Sequence, residues 1–355
     1  MPSLHDLAVP KGSTVLVTGA NGLLGSHVAD QFLEYGYNVR GTVRDIGKNA
    51  WLANVFEKNH GPGRFELHQV ADMAAEGAFD EAVKGTHNHQ MGVSIVAHTA
   101  SIMSLDPDPH KVIPDAIAFV VNALKASYGE PSVKRFVFTS SSAATVSSAL
   151  DTPGIVVTED TWNEDAVKKA WAEPPYGMDR AGAVYAASKT QAEQEVWKFH
   201  KENRENRPDL VVNTVLPNFN FGKALDLINQ GYPSSSGFLV ALYKGEITFV
   251  HKLVVRQYYV NVQDTGRLHV AAAIFSGLEG QRIFAFAGRF SWDQVLEILR
   301  KDQPEKKFPD NFSGGEDLNE IKPRDKAEQL LRDLGRPGWT SLEETILDNV
   351  KDLKE

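Results

Sequence analysis

Short runs of β-branched and apolar residues alternate with helically spaced stretches over the first 216 positions of the chain. Residues 14–17 (TVLV) read as a strand and 26–36 (SHVADQFLEYG) as a helix. Further strands are expected at 38–42 (NVRGT), 64–70 (RFELHQV), 94–98 (SIVAH), 135–140 (RFVFTS) and 211–216 (VVNTVL), with helices at 111–127 and 185–203. Strands separated by helices join through right-handed crossovers. The pattern therefore predicts an α/β fold, a doubly wound parallel sheet with helices on both faces.

After residue 216 the alternation stops. Residues 217–257 carry Pro, Gly, Asn and the run PSSSG at 233–237. Residues 257–262 (QYYVNV) read as one more strand returning to the sheet, followed by a helix at 264–275. FAFAG at 284–288, an amphipathic helix at 291–301, a polar loop and a helix pair around GRPGW at 335–339 complete the chain. The expected organisation is a sheet domain over 1–217, with 258–278 returning to it. A smaller substrate-binding lobe is expected from 218–257 and 279–355.

A chain of 355 residues, 42% hydrophobic and 23% charged, suits one large α/β domain with an added lobe, or two domains. The net charge of −9 argues against nucleic acid or an anionic membrane as the main partner. Having no cysteine, the chain can form neither disulfides nor thiolate metal sites. The N-terminal stretch lacks the basic start of a secretory signal, and apolar segments such as 112–124 are too short or too interrupted to span a bilayer. These features predict a soluble, cytoplasmic protein.

The loop 18-TGANGLLG-25 joins the first strand to the first helix, where such sheets bind ligands. Gly19, Gly22 and Gly25 are spaced for a tight turn, a close approach to a pyrophosphate, and close helix–strand packing. With Asn21, Leu23 and Leu24 they form a candidate dinucleotide site of Rossmann type. Arg44 follows the second strand, where NAD binders place an acidic residue; an arginine there suits a 2′-phosphate and favours NADPH. Lys48 is a second candidate phosphate contact, and the neighbouring Asp45 is the rival that would select NAD. Asp72, followed by Met73, stands where it reaches either the adenine edge or only a surface turn.

The fifth strand ends in a serine cluster, 138-FTSSSAATV-146, and the helix after it contains Tyr185 and Lys189, four residues apart and so on one face. Carbonyl reduction needs a hydrogen bond to a developing oxyanion, a proton donor and a cation, which this set offers. A free tyrosine has a pKa of about 10. A nearby ammonium would lower it.

These motifs, with 41-GTVR-44, 98-HTAS-101, 136-FVFTSS-141, 184-VYAASK-189, 215-VLPN-218, 257-QYYVNVQD-264 and 335-GRPGW-339, resemble the extended short-chain dehydrogenase/reductases. More narrowly the chain is similar to their dihydroflavonol reductase-like branch and to fungal NADPH-dependent aldehyde and carbonyl reductases. The resemblance places the catalytic serine on Ser141, with Ser140 and Ser142 as neighbouring alternatives, the proton donor on Tyr185, and on Lys189 the lysine that tunes it and holds the ribose. It implies that Thr99, Ala100, Pro217 and Asn218 face the nicotinamide half of the cofactor. Phe119-Val120, ahead of Asn122, departs from the family's Gly-Thr pair, and the approach 86–96 to the fourth strand is longer than usual.

Candidate apolar walls for a small carbonyl substrate are Met103, Phe219, Phe238, Leu239 and Leu242, with Trp171 and Tyr176 of the insert 151–180 closing the other side; each has ordinary core packing as its alternative. Few basic residues lie in 217–257, which favours a hydrophobic carbonyl over a nucleotide sugar. His87, His89 and His98 lack nearby acidic ligands, so no metal site is expected. The rival functions are a nucleotide-sugar epimerase or dehydratase and a non-catalytic nucleotide sensor. Monomer and homodimer both remain open.

Overall fold

The computed structural model describes residues 4, 6–85, 92–102, 104–147 and 153–353. Met103, His87 and His89 lie outside them. The first half runs β1 (Thr14–Thr18), α1 (Leu23–Glu34), β2 (Asn38–Val43), α2 (Ile46–His60), β3 (Phe65–Gln69), β4 (Ile95–His98), α3 (Pro109–Gly129) and β5 (Arg135–Thr139). Then follow β6 (Val156–Val157), α4 (Glu164–Ala170), α5 (Ala181–Asn203), β7 (Val211–Pro217), β8 (Phe219–Phe221), α6 (Leu227–Gln230), α7 (Ser235–Tyr243), α8 (Phe249–Leu253) and β9 (Arg256–Asn261). The last elements are α9 (Val262–Ile274), β10 (Arg282–Ala285), β11 (Gly288–Ser291), α10 (Trp292–Asp302), β12 (Glu320–Ile321), α11 (Arg324–Asp333) and α12 (Leu342–Val350).

Seven parallel strands form the central sheet in the order β10-β7-β5-β4-β1-β2-β3. The order reverses between β1 and β4, which opens a crevice beyond their carboxyl ends. Alternate residues serve opposite faces. Val15 and Val17 join one core cluster with α1 and α9, and Leu16 joins the other with α3 and α5. A sheet covered on both faces leaves its central strands fully apolar, as β1 is.

The expected return of residues 257–262 to this sheet is not what forms. β9 lies in a separate sheet, β11-β9-β8, and the seventh strand is β10, which runs into the FAFAG stretch. β8 leaves the main sheet directly after β7 and offers β9 a new parallel partner. An apolar run specifies a strand but not its neighbour. Helices α6, α7 and α8 form within 217–257, where no helix was expected, and α2 and α4 were also not anticipated. In α2 only Leu52 and Phe56 are buried, and in α4 only Ala166 and Ala170, so neither has an apolar stripe to announce it.

α9 is buried around almost its whole circumference. Its charges are neutralised locally: Arg267 donates to Asp264 at 2.7 Å, one turn away, and Asp264 also accepts from the Thr340 amide. No described helix is long and apolar enough to cross a membrane. Among the described residues no three His, Asp or Glu side chains gather as a metal site would require.

Candidate active site

The glycine loop is shaped by steric need at two of its three positions. Gly19 has φ +63°, in the left-handed region, and a β-carbon there would press on Ala100 at 3.2 Å. At Gly25 a β-carbon would sit 2.2 Å from the Gly19 carbonyl oxygen, so only hydrogen fits. Gly22 is different: its nearest neighbour would be 3.4 Å away, and it is exposed at the N-terminus of α1 beside exposed Asn21. Among the described residues no side chain caps that terminus. Its backbone N–H groups and dipole are therefore available to an anion, which is the chemistry a dinucleotide pyrophosphate brings. Leu23 is buried and Leu24 half-buried, anchoring the helix.

The loop after β4 is stitched to β1 by Thr18, a residue that no motif had singled out. Its hydroxyl accepts from the Thr99 and Ala100 amides at 3.0 and 3.1 Å and donates to His98 Nδ1 at 3.2 Å. The Thr99 hydroxyl donates back to the Thr18 carbonyl. His98 is buried, and burial together with the Lys189 charge pulls its pKa down to about 3. It is a neutral packing residue.

At the end of β2, Arg44 is exposed, and Asp45 caps α2 by accepting from the Lys48 amide at 3.1 Å. That bond commits the Asp45 carboxylate to the helix. The Lys48 side chain is 84% exposed on the first turn. Asp72 is exposed and accepts from the Ala74 amide at 2.9 Å in a tight turn, while Met73 packs against the core. Asn122 fixes this turn from α3, its amide donating to the carbonyls of Met73, Ala74 and Ala75 at 3.1, 3.0 and 2.9 Å. Val120, at the departure from the family pattern, is fully buried beneath it.

α5 begins at Ala181, so Tyr185 lies in its second turn. Tyr185, Lys189 and Glu193 recur every four residues and form one stripe facing the end of β5. Along β5 the hydroxyls alternate in direction. Thr139 donates to His269 on α9 at 2.7 Å, and Ser140 donates to Glu193 on α5 at 2.7 Å. Ser141 then caps the one-turn 3-10 helix 142–144, accepting from the Ala143 amide at 3.1 Å, and its hydroxyl meets the Tyr185 phenol. Ser140 is occupied elsewhere and Ser142 is buried in that turn, which leaves Ser141 as the serine brought together with Tyr185.

Lys189 is buried and donates to the Thr139 carbonyl at 3.5 Å. Burial lowers its pKa to about 8, against the opposing pull of Glu193. The phenol of half-buried Tyr185 is raised by burial, and the Ser141 hydroxyl draws it back. The Lys189 ammonium is turned to a backbone carbonyl, and burial is the largest influence on the phenol.

Pro217 and Asn218 end β7 in buried positions at the same sheet edge, the Asn218 amide donating to the Ala285 carbonyl at 3.1 Å. Of the expected apolar walls, Leu239 and Leu242 are fully buried core residues with no surface to offer a ligand. Phe219 and Phe238 are partly buried, in an aromatic cluster with Phe221, Phe290 and Trp292. Trp171 is held to α5 by a 2.8 Å bond to Gln191, off the Tyr185 stripe, and Tyr176 stacks near His110.

Comparison with known proteins adds to this geometry. A family model described as the NAD dependent epimerase/dehydratase family matches residues 15–283. The chain is 41% identical to aldehyde reductase 2 of Sporidiobolus salmonicolor over 351 residues, 99% of this chain and 98% of that one. It is 39% identical to the NAD-dependent epimerase/dehydratase terH of Aspergillus terreus over 342 residues, 96% of each chain. Among solved structures, yeast methylglyoxal/isovaleraldehyde reductase Gre2 complexed with NADPH matches with a TM-score of 0.80 at 25% identity, covering 96% of this chain and 98% of that one.

Proposed function

Because the chain belongs to the NAD dependent epimerase/dehydratase family, the extended short-chain dehydrogenase/reductases, we propose that it is an NADPH-dependent carbonyl reductase that converts aldehydes and ketones to alcohols. The observation that carries this reading is geometric: Tyr185 and buried Lys189 lie one turn apart on α5 facing the serine-bearing end of β5, where Lys189 donates to the Thr139 carbonyl and Ser141 caps the following turn. The similarity to an aldehyde reductase over nearly the full length, and to an NADPH-bound reductase in fold, supports the same reading.

The residues present fit the cofactor. The cradle between Gly19 and Gly25 and the uncapped start of α1 suit its pyrophosphate. Exposed Arg44 and Lys48, at the positive start of α2, suit a 2′-phosphate. Asp45 is engaged as a helix cap, which weakens the case for NAD. NADPH, when bound, supplies the hydride.

The chain's own groups do the rest. Ser141 donates a hydrogen bond to the carbonyl oxygen and orients it. Tyr185, whose raised pKa keeps it protonated near neutrality, holds at its Oη the proton that the oxygen takes up as the alcohol forms. Lys189 has three donors, of which one is directed to the Thr139 carbonyl; the others suit ribose hydroxyls. An NADPH and NADH assay of the purified protein against a panel of aldehydes and ketoesters tests the reading. Carbonyl-dependent oxidation, faster with NADPH, is expected. Tightly retained NAD with turnover of a nucleotide sugar would replace it with the epimerase reading.

A further inference from the structure

We propose that Glu193 is the positioning residue of this site, tying the serine-bearing end of β5 to the helix of Tyr185 and Lys189, with Arg282 as its buried counter-ion. The inference rests on the reductase reading. Glu193 has no exposed surface, yet its carboxylate accepts from Ser140 Oγ (2.7 Å), Thr214 Oγ1 (2.8 Å), Trp197 Nε1 (3.3 Å), Arg282 Nε (2.8 Å) and Arg282 Nη2 (3.1 Å). These donors come from the end of β5, from β7, from α5 and from β10. One carboxylate thus locks the catalytic helix to three strands of the sheet.

The network continues on its far side. Arg282 Nη1 donates to the carbonyls of Glu159 and Thr161 at 2.6 and 2.9 Å, and its guanidinium stacks on Trp162 at 3.8 Å. The next residue, Asn163, closes the circuit. Its side-chain amide donates to the Ala143 carbonyl at 2.8 Å, and its backbone amide donates to the Ala144 carbonyl at 3.0 Å. Ser141 therefore sits between two anchors of one network, the Ser140 hydroxyl before it and the Ala143–Ala144 carbonyls after it. Glu193 is also one turn from Lys189 and opposes the loss of that lysine's charge.

Stability alone does not account for this arrangement. Well-packed apolar residues of similar volume often replace a buried ion pair at little cost to stability. What they cannot supply is a fixed direction for Ser140 and for the 159–163 segment. A displacement of the order of 1 Å in a reacting group slows turnover about a hundredfold.

The test is the double variant Glu193→Leu/Arg282→Met, which leaves no lone buried charge, together with Ser140→Ala. For the double variant the expected result is a folded protein with a lowered melting transition, because Ser140, Thr214 and Trp197 lose their acceptor and the Glu159 and Thr161 carbonyls their donor. Its NADPH dissociation constant should stay within about threefold of the unaltered protein, and its kcat should be lower by about 10- to 100-fold. Ser140→Ala should lower kcat about tenfold at unchanged KM for NADPH. A kcat within about twofold of the unaltered enzyme overturns the inference, because a purely structural pair predicts that outcome. If the double variant does not fold, Ser140→Ala decides by the same criterion. An unaltered enzyme that reduces no carbonyl sinks the reductase reading instead. A crystal structure of the Ser140→Ala variant then decides the positioning claim: Ser141 displaced from Tyr185 supports it, and Ser141 in place refutes it.

Discussion

Asp45 accepts a 3.1 Å hydrogen bond from the amide of Lys48, so the carboxylate nearest the end of β2 caps α2, with its second oxygen 3.9 Å from the Lys48 ammonium. Arg44, exposed beside it, is left to meet whatever the cofactor carries on its adenosine ribose. Arg44→Ala is therefore expected to raise KM for NADPH about 10- to 100-fold, the worth of a charge-assisted arginine–phosphate contact. KM for NADH should hardly change. An equal loss with both cofactors, in steady-state kinetics, would count against the phosphate role.

Tyr185→Phe removes the proposed proton donor and keeps the ring in its place. General acid catalysis is worth about 10²- to 10⁴-fold, and kcat should fall by that factor. NADPH binding, followed by fluorescence titration, should stay within about threefold, since the phenol is turned to Ser141. Retained turnover would remove Tyr185 from the chemistry.

The glycine loop separates fit from function. Gly25→Ala puts a methyl group 2.2 Å from a backbone oxygen and 2.9 Å from Thr99 Oγ1. Overpacking of that kind costs about 1–3 kcal/mol, so both thermal stability and NADPH binding should drop. At Gly22 the nearest atom is 3.4 Å away and φ is −75°. Gly22→Ala should leave the melting temperature alone and weaken only NADPH binding. Unchanged NADPH binding by Gly22→Ala would show that Gly22 has no part in holding the cofactor.

How far this site could be read from the sequence depends on the separation of its parts. The loop at 18–25 and the Tyr185/Lys189 pair are local patterns set by helix and turn geometry, and they announce themselves. Arg282 and Glu193 lie 89 residues apart and meet only because β10, and not β9, completes the sheet. No local pattern encodes that choice of partner. Leu239 and Leu242 read as pocket walls because apolar character is common to pockets and cores, and only burial tells them apart. Spacing places Tyr185 and Lys189 on one face, but the burial that raises the phenol is a property of the whole fold.

Acid should destabilise the protein through its buried histidines, of which His98 and His269 are the most strongly shifted. Burial lowers His98 to about 3, with help from the Lys189 charge, and lowers His269 to about 4. Both folded values lie below the unfolded value of about 6.5, so between these limits the unfolded chain binds more protons. Stability is then fully present above pH of about 6.5 and is lost as pH falls towards 3, on the order of 3–5 kcal/mol per histidine. His269→Gln keeps a donor and an acceptor for Thr265 and Thr139. It should flatten the fall by about one proton in denaturant titrations at successive pH values. An unchanged slope would mean that His269 is not neutral in the folded protein.

The central claim is direct hydride delivery to a carbonyl carbon at the Ser141–Tyr185 site. It is tested by supplying the unaltered enzyme and Tyr185→Phe with an aldehyde and NADPH deuterated at the transferable position, and analysing the product by mass spectrometry. Deuterium on the carbinol carbon with the unaltered enzyme, and almost no alcohol with the variant, is the predicted result. No labelled alcohol from any aldehyde or ketone supplied, or equal labelling by the variant, would contradict it.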